Sequence, residues 1–314
     1  MKDNFDRDIY YLRLSVTDKC NLRCIYCMPE SGIKKLDHSD ILTVEEIAEI
    51  MKAAALCGIT KVRITGGEPL VRRGIIEICK TVSETAGIND ICLTTNGTLL
   101  PKFAPQLKSA GVNRLNISLD SLDIIKYNEI TRTGTLNEAL AGIDAAFEAG
   151  FDTIKINTVL IGGMNESSIP EMIELTRKKN IDVRFIELMP IGERSGWAKS
   201  RFIKAQCVLQ AVPDLIETGT DGVAKLYKLP DGIGTVGLIT PISSHFCPTC
   251  NRIRITPNGT LKPCLHSPEE INLRGLHGPE LEETIRSAIY KKPKKHELND
   301  KKSSQKRNMN EIGG

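Results

Sequence analysis

Between residue 10 and about residue 190 the chain alternates short apolar, β-rich runs with longer helical patterns, and this rhythm restricts it to βα units on a parallel sheet. The strands it predicts are Tyr11 to Val16, Lys61 to Ile64, Asp90 to Thr94, Arg114 to Leu119, Thr153 to Ile161 and Asp182 to Glu187. The first helix between them is marked at both ends. Thr43 with Glu46 three residues on forms a capping box, Ile47, Ile50 and Met51 fall on one face, and Gly58 stops the helix. Six units are fewer than the eight of a closed barrel, so a partial, open (β/α)6 barrel of TIM-like type is expected. A doubly wound sheet satisfies the same strand count.

After Pro190 the rhythm gives way to Gly- and Pro-rich segments, a helical stretch around Ile203 to Val212, and a hairpin signal from Ile253 to Leu265 centred on Asn258-Gly259. The expected division is residues 1–195 for the barrel, 196–290 for a smaller C-terminal region and 291–314 for a polar tail. An amphipathic stretch from Glu280 to Tyr290 closes the second region. The tail holds eight Lys and Arg against three acidic residues and lacks apolar residues to pack, so it is expected to be mobile without a ligand. With a net charge of +3 overall, the remaining chain is close to neutral and offers no broad basic face for nucleic acid. At 40% hydrophobic and 26% charged the composition excludes wholesale disorder. There is no secretory signal and no apolar run of about 18 residues, so a soluble cytoplasmic chain with no membrane partner is expected.

Ten cysteines carry the chemistry. Cys57, Cys79, Cys92 and Cys207 stand alone and read as small buried hydrophobes. The other six form two triplets, Cys20, Cys24, Cys27 and Cys247, Cys250, Cys264, which in a reducing compartment suggest metal ligation rather than disulfides. In Cys20-Asn-Leu-Arg-Cys24-Ile-Tyr-Cys27 the gaps differ from ferredoxin and from paired zinc spacings. The triplet lies in the loop leaving the first strand, the catalytic end of a βα barrel. It suits a [4Fe-4S] cluster with one iron left open, or a zinc site completed by a distant histidine. Gly66-Gly67-Glu68-Pro69, Thr95-Asn96-Gly97, Ser118, Gly162-Gly163 and Met189 follow or end the next five strands and converge on the same rim. A Gly-Gly pair is usually a tight turn; beside an acidic side chain on this rim it would let backbone approach a small ligand.

The second triplet, with thirteen residues between Cys250 and Cys264, reads either as a Cys3His zinc site completed by His245 or His266, or as a second cluster with an open iron. Arg252 and Arg254 share one face of the adjoining strand and would suit an anionic, nitrogen-bearing substrate such as a nucleotide. No Gly-x4-Gly-Lys-Ser/Thr loop is present, so side-chain cations must bind any phosphate. Taken singly, each such cation is a solvated charge, or for Arg13 and Lys155 a core-edge ion pair.

The Cys-x3-Cys-x2-Cys loop with Gly-Gly-Glu-Pro after the second strand resembles the radical S-adenosylmethionine superfamily. That resemblance implies two roles for the loop: the open iron binds S-adenosylmethionine, and an electron cleaves it to methionine and a 5′-deoxyadenosyl radical. Tyr26 would lie against the adenine, Gly67 would meet the methionyl amine, and Ser118 and Met189 would complete the pocket. The run Phe246-Cys-Pro-Thr-Cys-Asn-Arg-Ile-Arg-Ile-Thr-Pro-Asn-Gly-Thr-Leu-Lys-Pro-Cys-Leu265 resembles the molybdenum cofactor biosynthesis protein A family, the GTP 3′,8-cyclases. So do Tyr11-Leu-Arg-Leu-Ser-Val-Thr-Asp18, Lys61-Val-Arg-Ile-Thr65 and the terminal Gly313-Gly314.

This second resemblance picks the open barrel and implies a lyase with two [4Fe-4S] clusters and S-adenosylmethionine. Arg13, Arg63, Thr94, Lys155, Arg252, Ile253 and Arg254 would bind GTP, and the second cluster would hold guanine through its open iron. Arg13, Arg252, Arg254, Gly313 and Gly314 would serve catalysis, with the double glycine entering the active site through a channel too narrow for a side chain. The radical would take the 3′ hydrogen of GTP, the ribose radical would attack C8, and electron plus proton transfer would give 3′,8-cyclo-7,8-dihydro-GTP, the first step of molybdenum cofactor biosynthesis. An external electron donor and the cyclic pyranopterin monophosphate synthase would be partners of a monomer or homodimer. Two rivals fit parts of the pattern: a radical S-adenosylmethionine enzyme that modifies a peptide, and a zinc-stabilised binding protein without catalysis.

Overall fold

Each of the six strands expected from the sequence forms, in the computed structural model, within a residue or two of its expected ends: β1 (Tyr11–Ser15), β2 (Lys61–Thr65), β3 (Asp90–Thr95), β4 (Arg114–Ser118), β5 (Ile154–Leu160) and β6 (Ile181–Glu187). The structure describes residues 1–33, 36–296 and 307–313. The six strands lie side by side in chain order, all parallel. A doubly wound sheet reverses its order at a switch point, so the chain-order progression selects the open barrel. Helices α1 (Val44–Leu56), α2 (Ile75–Ser83), α3 (Leu100–Ser109), α4 (Ile124–Thr131), α5 (Leu136–Glu148) and α6 (Ile169–Lys178) return the chain between strands. The α1 capping box is present: Glu46 N donates to Thr43 Oγ1 at 3.2 Å and Thr43 N to Glu46 Oε2 at 2.8 Å. Ile47, Ile50 and Met51 are buried under it as the spacing requires.

The residues after 195 do not build a separate sheet. β7 (Ile216–Asp221), β8 (Ala224–Lys228) and β9 (Val236–Ile239) extend the β6 edge, with β9 parallel to β6. β10 (Arg252–Ile255), β11 (Thr260–Lys262) and β12 (Ile271–Asn272) extend the opposite edge, with β10 parallel to β1. The result is one open 12-stranded sheet. The expected hairpin at Asn258-Gly259 is the β10–β11 turn. Between β6 and β7 lie the short helices α7 (Ser195–Ser200) and α8 (Cys207–Ala211). The helix expected from Ile203 is shortened to α8 because the chain before it is drawn to buried Glu187, whose Oε1 accepts from Ala205 N at 3.2 Å. The last helix, α9 (Gly278–Tyr290), buries Leu281, Ile285, Ala288 and Ile289 and rests on α1.

The C-terminal segment corrects an expectation drawn from composition. In residues 307–313 Asn310 is 2% and Ile312 0% exposed, so this part of the tail is packed rather than mobile. Asn310 Nδ2 donates to the Asp18 carbonyl at 3.1 Å and Glu193 N to Asn308 Oδ1 at 3.1 Å. A lysine-rich average hid three residues with specific partners at the barrel mouth. Among the described residues no helix is long and apolar enough to cross a membrane.

Candidate active site

The strand ends open onto a cavity of about 430 Å³ whose wall includes all six cysteines of the two triplets. The first triplet is fixed by backbone. Arg23 N donates to the Thr131 carbonyl at 3.0 Å and Ile25 N to the Ile130 carbonyl at 2.9 Å. Arg132, held at φ 61°, sends Nη1 to the carbonyls of Arg23 at 3.1 Å and Met28 at 3.3 Å. Burial, and then the neighbouring anionic groups, push the Cys20 thiol up to about 11 and Cys27 up to about 12, and Cys24 is raised as well. Three such thiols are converted together to thiolates only when a strongly cationic centre binds them, which is the chemistry an iron–sulfur cluster supplies.

The glycine pair after β2 is needed first by the protein itself. A Cβ on Gly67 would lie 2.4 Å from the Lys19 carbonyl oxygen and 2.7 Å from that of Asp18, because this turn is pressed against the backbone entering the cysteine loop. The expected approach to a ligand is therefore preceded by an approach of backbone to backbone. Next to it Glu68 is buried, accepting from Thr95 Oγ1 at 2.7 Å, Asn96 N at 2.7 Å and Leu70 N at 3.1 Å. Burial outweighs those bonds and raises its carboxyl to about 7. The Tyr26 phenol donates to Asp120 Oδ2 at 2.8 Å, and burial raises that carboxyl to about 6.

On the other side the sheet register assembles cations. Arg13 on β1 is directly opposite Arg63 on β2 and Arg254 on β10, while Tyr11 is opposite Lys61 and Arg252. Same-register residues of parallel neighbours share a face, so three arginines stand in a row across three adjacent strands. Lys61, Arg63 and Arg252 sit over the Tyr11 ring at 5.1, 5.8 and 5.6 Å. Burial, followed by the charge of its arginine neighbour, lowers Arg13 well below its ordinary value and Arg254 to about 10. Arg63, Arg184 and Arg252 each bury an Nε with no hydrogen-bond partner among the described residues. Buried donors of this kind are met by a ligand rich in acceptors.

The second triplet lies beyond Arg252. Burial opposes ionisation of Cys250, yet Lys292 and Arg252 beside it hold its thiol below the ordinary value. His245 faces His296 edge-on at 4.5 Å and hydrogen-bonds with the Pro241 carbonyl at 3.0 Å; His266 also faces His296, at 4.8 Å. Among the described residues no group of three or more His, Cys, Asp or Glu is arranged to hold a single metal ion.

Of the residues singled out in the sequence, Arg13, Tyr26, Arg63, Gly67, Thr94, Ser118, Lys155, Met189, Arg252 and Arg254 all line this cavity. Ile253 does not: its side chain is 1% exposed and joins the apolar core, leaving only its backbone between the two arginines. Gly313 adjoins Ser15 and Thr65, and its carbonyl accepts from Arg254 Nη1 at 2.6 Å. Gly314 lies outside the described residues. Lys155 is both ion-paired and at the cavity, with Asp221 Oδ2 2.6 Å from its Nζ.

Sequence reasoning missed Arg184, Asp221, Glu187 and Lys292, which also line the cavity. Arg184 reaches the same Asp221 carboxylate. Glu187 accepts from Ile242 N at 3.1 Å and Ser243 N at 2.9 Å, tying the end of β6 to the loop before Cys247. Arg184 and Glu187 stand three residues apart on β6, which period-two alternation does not place on one face, and Asp221 and Lys292 carry no local signal.

An open βα barrel with a Cys-x3-Cys-x2-Cys loop at its strand ends defines a radical SAM protein, and the radical SAM superfamily profile matches residues 14–176. The profile for Molybdenum Cofactor Synthesis C matches residues 181–298. The chain is 52% identical, over the whole of both chains, to the GTP 3′,8-cyclase of Alkaliphilus oremlandii, and 53% identical to that of Alkaliphilus metalliredigens, again over both whole chains. The corresponding protein of Pelotomaculum thermopropionicum is 48% identical over both whole chains. The chain belongs to the GTP 3′,8-cyclase family. Among solved structures, Streptococcus suis SuiB bound to precursor peptide SuiA shares the fold at TM-score 0.58 and 16% identity, covering 89% of this chain and 67% of that one. Native anSMEcpe with bound AdoMet shares it at TM-score 0.54 and 14% identity, covering 89% and 82%.

Proposed function

We propose that this chain is a lyase that converts GTP to 3′,8-cyclo-7,8-dihydro-GTP, the first step of molybdenum cofactor biosynthesis. The reading rests on one arrangement above all: a row of register-matched arginines, Arg254, Arg13 and Arg63, set between two cysteine triplets in a single cavity. A triphosphate carries about four negative charges and suits several guanidinium donors presented side by side. A peptide substrate gives no reason for it.

Cys20, Cys24 and Cys27 would hold one [4Fe-4S] cluster and Cys247, Cys250 and Cys264 a second. Bound there, the first cluster would supply the electron for reductive cleavage of S-adenosylmethionine to methionine and a 5′-deoxyadenosyl radical. Tyr26, Gly67, Ser118 and Met189 would form the S-adenosylmethionine pocket, with Asp120 fixing the Tyr26 phenol through its 2.8 Å hydrogen bond. Arg13, Arg63, Thr94 and Lys155 would bind the nucleotide from the sheet face, with Arg63 Nη1 already donating to Thr94 Oγ1 at 3.3 Å. Arg252 and Arg254 would orient it beside the second triplet, and the Ile253 contribution is confined to backbone. Gly313 and Gly314 would serve catalysis by entering the cavity. The reading keeps residues 1–195 as the radical S-adenosylmethionine barrel, which shares in nucleotide binding, 196–290 as the region of the second cluster and further GTP contacts, and 291–314 as a basic tail ending in Gly-Gly. Ten free thiols suit a reducing cytoplasm. An external electron donor would feed the first cluster, and a cyclic pyranopterin monophosphate synthase would take the product from a monomer or homodimer.

The test is incubation of anaerobically reconstituted protein with S-adenosylmethionine, reductant and GTP deuterated at the ribose 3′ carbon. Deuterium in the 5′-deoxyadenosine is expected. Unlabelled deoxyadenosine would remove GTP 3′ abstraction, and no deoxyadenosine from protein with intact clusters would remove the catalytic reading.

A further inference from the structure

Lys292 is 2% exposed, and among the described residues no carboxylate pairs with it. Its Nζ donates to the carbonyl of Pro263, the residue before Cys264, at 2.6 Å, and its side chain lines the cavity with Cys247, Cys250 and Cys264. The position is enforced from outside. Arg7, buried and paired with Asp3 at 2.6 Å, donates to the carbonyls of Lys292 at 3.3 Å, Pro293 at 2.8 Å, Lys294 at 3.0 Å and Cys247 at 3.0 Å. This one guanidinium therefore clamps the segment leaving α9 onto the second cysteine loop. An ammonium withdrawn from water without a counter-charge is strongly unfavourable, so a site that buries one supplies the negative charge in another form. The groups at hand are thiols.

We propose that Lys292 is the resident counter-cation of the second cysteine site, a positioning residue whose buried charge raises the reduction potential of the cluster held there. The inference rests on the two-cluster reading above. Three thiolates leave such a cluster anionic, each added electron makes it more so, and a fixed positive charge in a dry environment favours the reduced form. Arg252 and Arg254 lie on β10 and belong to the register row; Lys292 follows α9 and is placed by the Arg7 clamp instead.

The experiment is an EPR-monitored redox titration of anaerobically reconstituted full-length protein, after iron and sulfide analysis, with the second cluster identified as the signal lost in Cys264→Ala. Lys292→Met is expected to shift the second potential to more negative values and leave the first unchanged, and Lys292→Arg to restore it. An unshifted second potential in loaded Lys292→Met overturns the proposal. Should the Met variant fail to hold the second cluster, the polar but uncharged Lys292→Gln decides: cluster kept by Arg and lost by Gln supports the proposal, and cluster kept by Gln at the unaltered potential overturns it. Wild-type protein with iron at the first triplet alone would overturn the two-cluster reading itself, so the two failures are told apart.

Discussion

Arg254 on β10 donates through Nη1 to the carbonyl of Gly313, a residue 59 positions later, at 2.6 Å. Gly313 has φ +69°, and a Cβ there would lie 2.7 Å from Thr65 Cγ2 and 3.1 Å from Ser15 Cβ. Gly313→Ala adds a left-handed penalty of about 1–2 kcal/mol to that overlap, and the chain end should be displaced from the cavity. Turnover is expected to fall at least tenfold while iron content stays at the wild-type level, and removing Gly313 with Gly314 should abolish it. Product yield per iron checks this; an unchanged yield would show that the chain end has no catalytic part.

Asp221 occupies a place between Lys155 and Arg184 that the proposed triphosphate would need. Although burial opposes it, the Lys155 hydrogen bond and the Arg184 charge hold this carboxyl below its ordinary value, so it remains an anion in competition with phosphate. Asp221→Asn is expected to tighten GTP binding roughly two- to fivefold at low salt, an exposed ion pair being worth under about 1 kcal/mol, and less at high salt. Calorimetry at two ionic strengths measures it. Weaker binding would mean that the carboxylate orients the two cations instead.

Glu68 gives the metal-free protein a pH dependence. Its carboxyl is raised from 4.5 to about 7 in the folded state, so between those values the folded chain holds a proton that the unfolded chain has released. Stability from this group is full below about pH 4.5, falls as pH rises towards 7, and levels beyond it, a loss of roughly 3 kcal/mol at most. Glu68→Gln should flatten that part of the curve. Urea unfolding between about pH 5 and pH 8 compares them, and parallel curves would refute it.

Each triplet should answer separately for its metal. Cys264→Ala is expected to lower bound iron by about half and to keep S-adenosylmethionine cleavage; Cys24→Ala should lose the other half together with all cleavage. Iron analysis and deoxyadenosine measurement suffice. Cleavage lost in both variants would mean that the two sites are not independent.

Much of the site was legible because radical generation uses local sequence. The cysteines of the first loop lie within eight residues, and Gly66-Gly67-Glu68 follows its strand directly, so chemistry and position are read together. Asp221 and Lys292 were not legible, since a carboxylate or ammonium acquires its role from a partner elsewhere. Lys155 shows the limit: the ordinary expectation of an ion pair is met by Asp221, and the same side chain lines the cavity.

The sequence by itself determined the six βα units, the capped first helix, the hairpin at Asn258-Gly259 and the two cysteine triplets, because propensity, capping and ligand spacing act over a few residues. Tertiary structure decided what those pieces face. Pairing β10 with β1 puts Arg252 against Tyr11 and Arg254 against Arg13 across some 240 residues of chain, and register in a parallel sheet is fixed by burial of both faces at once. The same closure buries Ile312 at 0% exposure and brings Lys292 to the second triplet. No local average over a lysine-rich tail contains that information, because it arises only when two distant edges of one sheet are completed by the same C-terminal region.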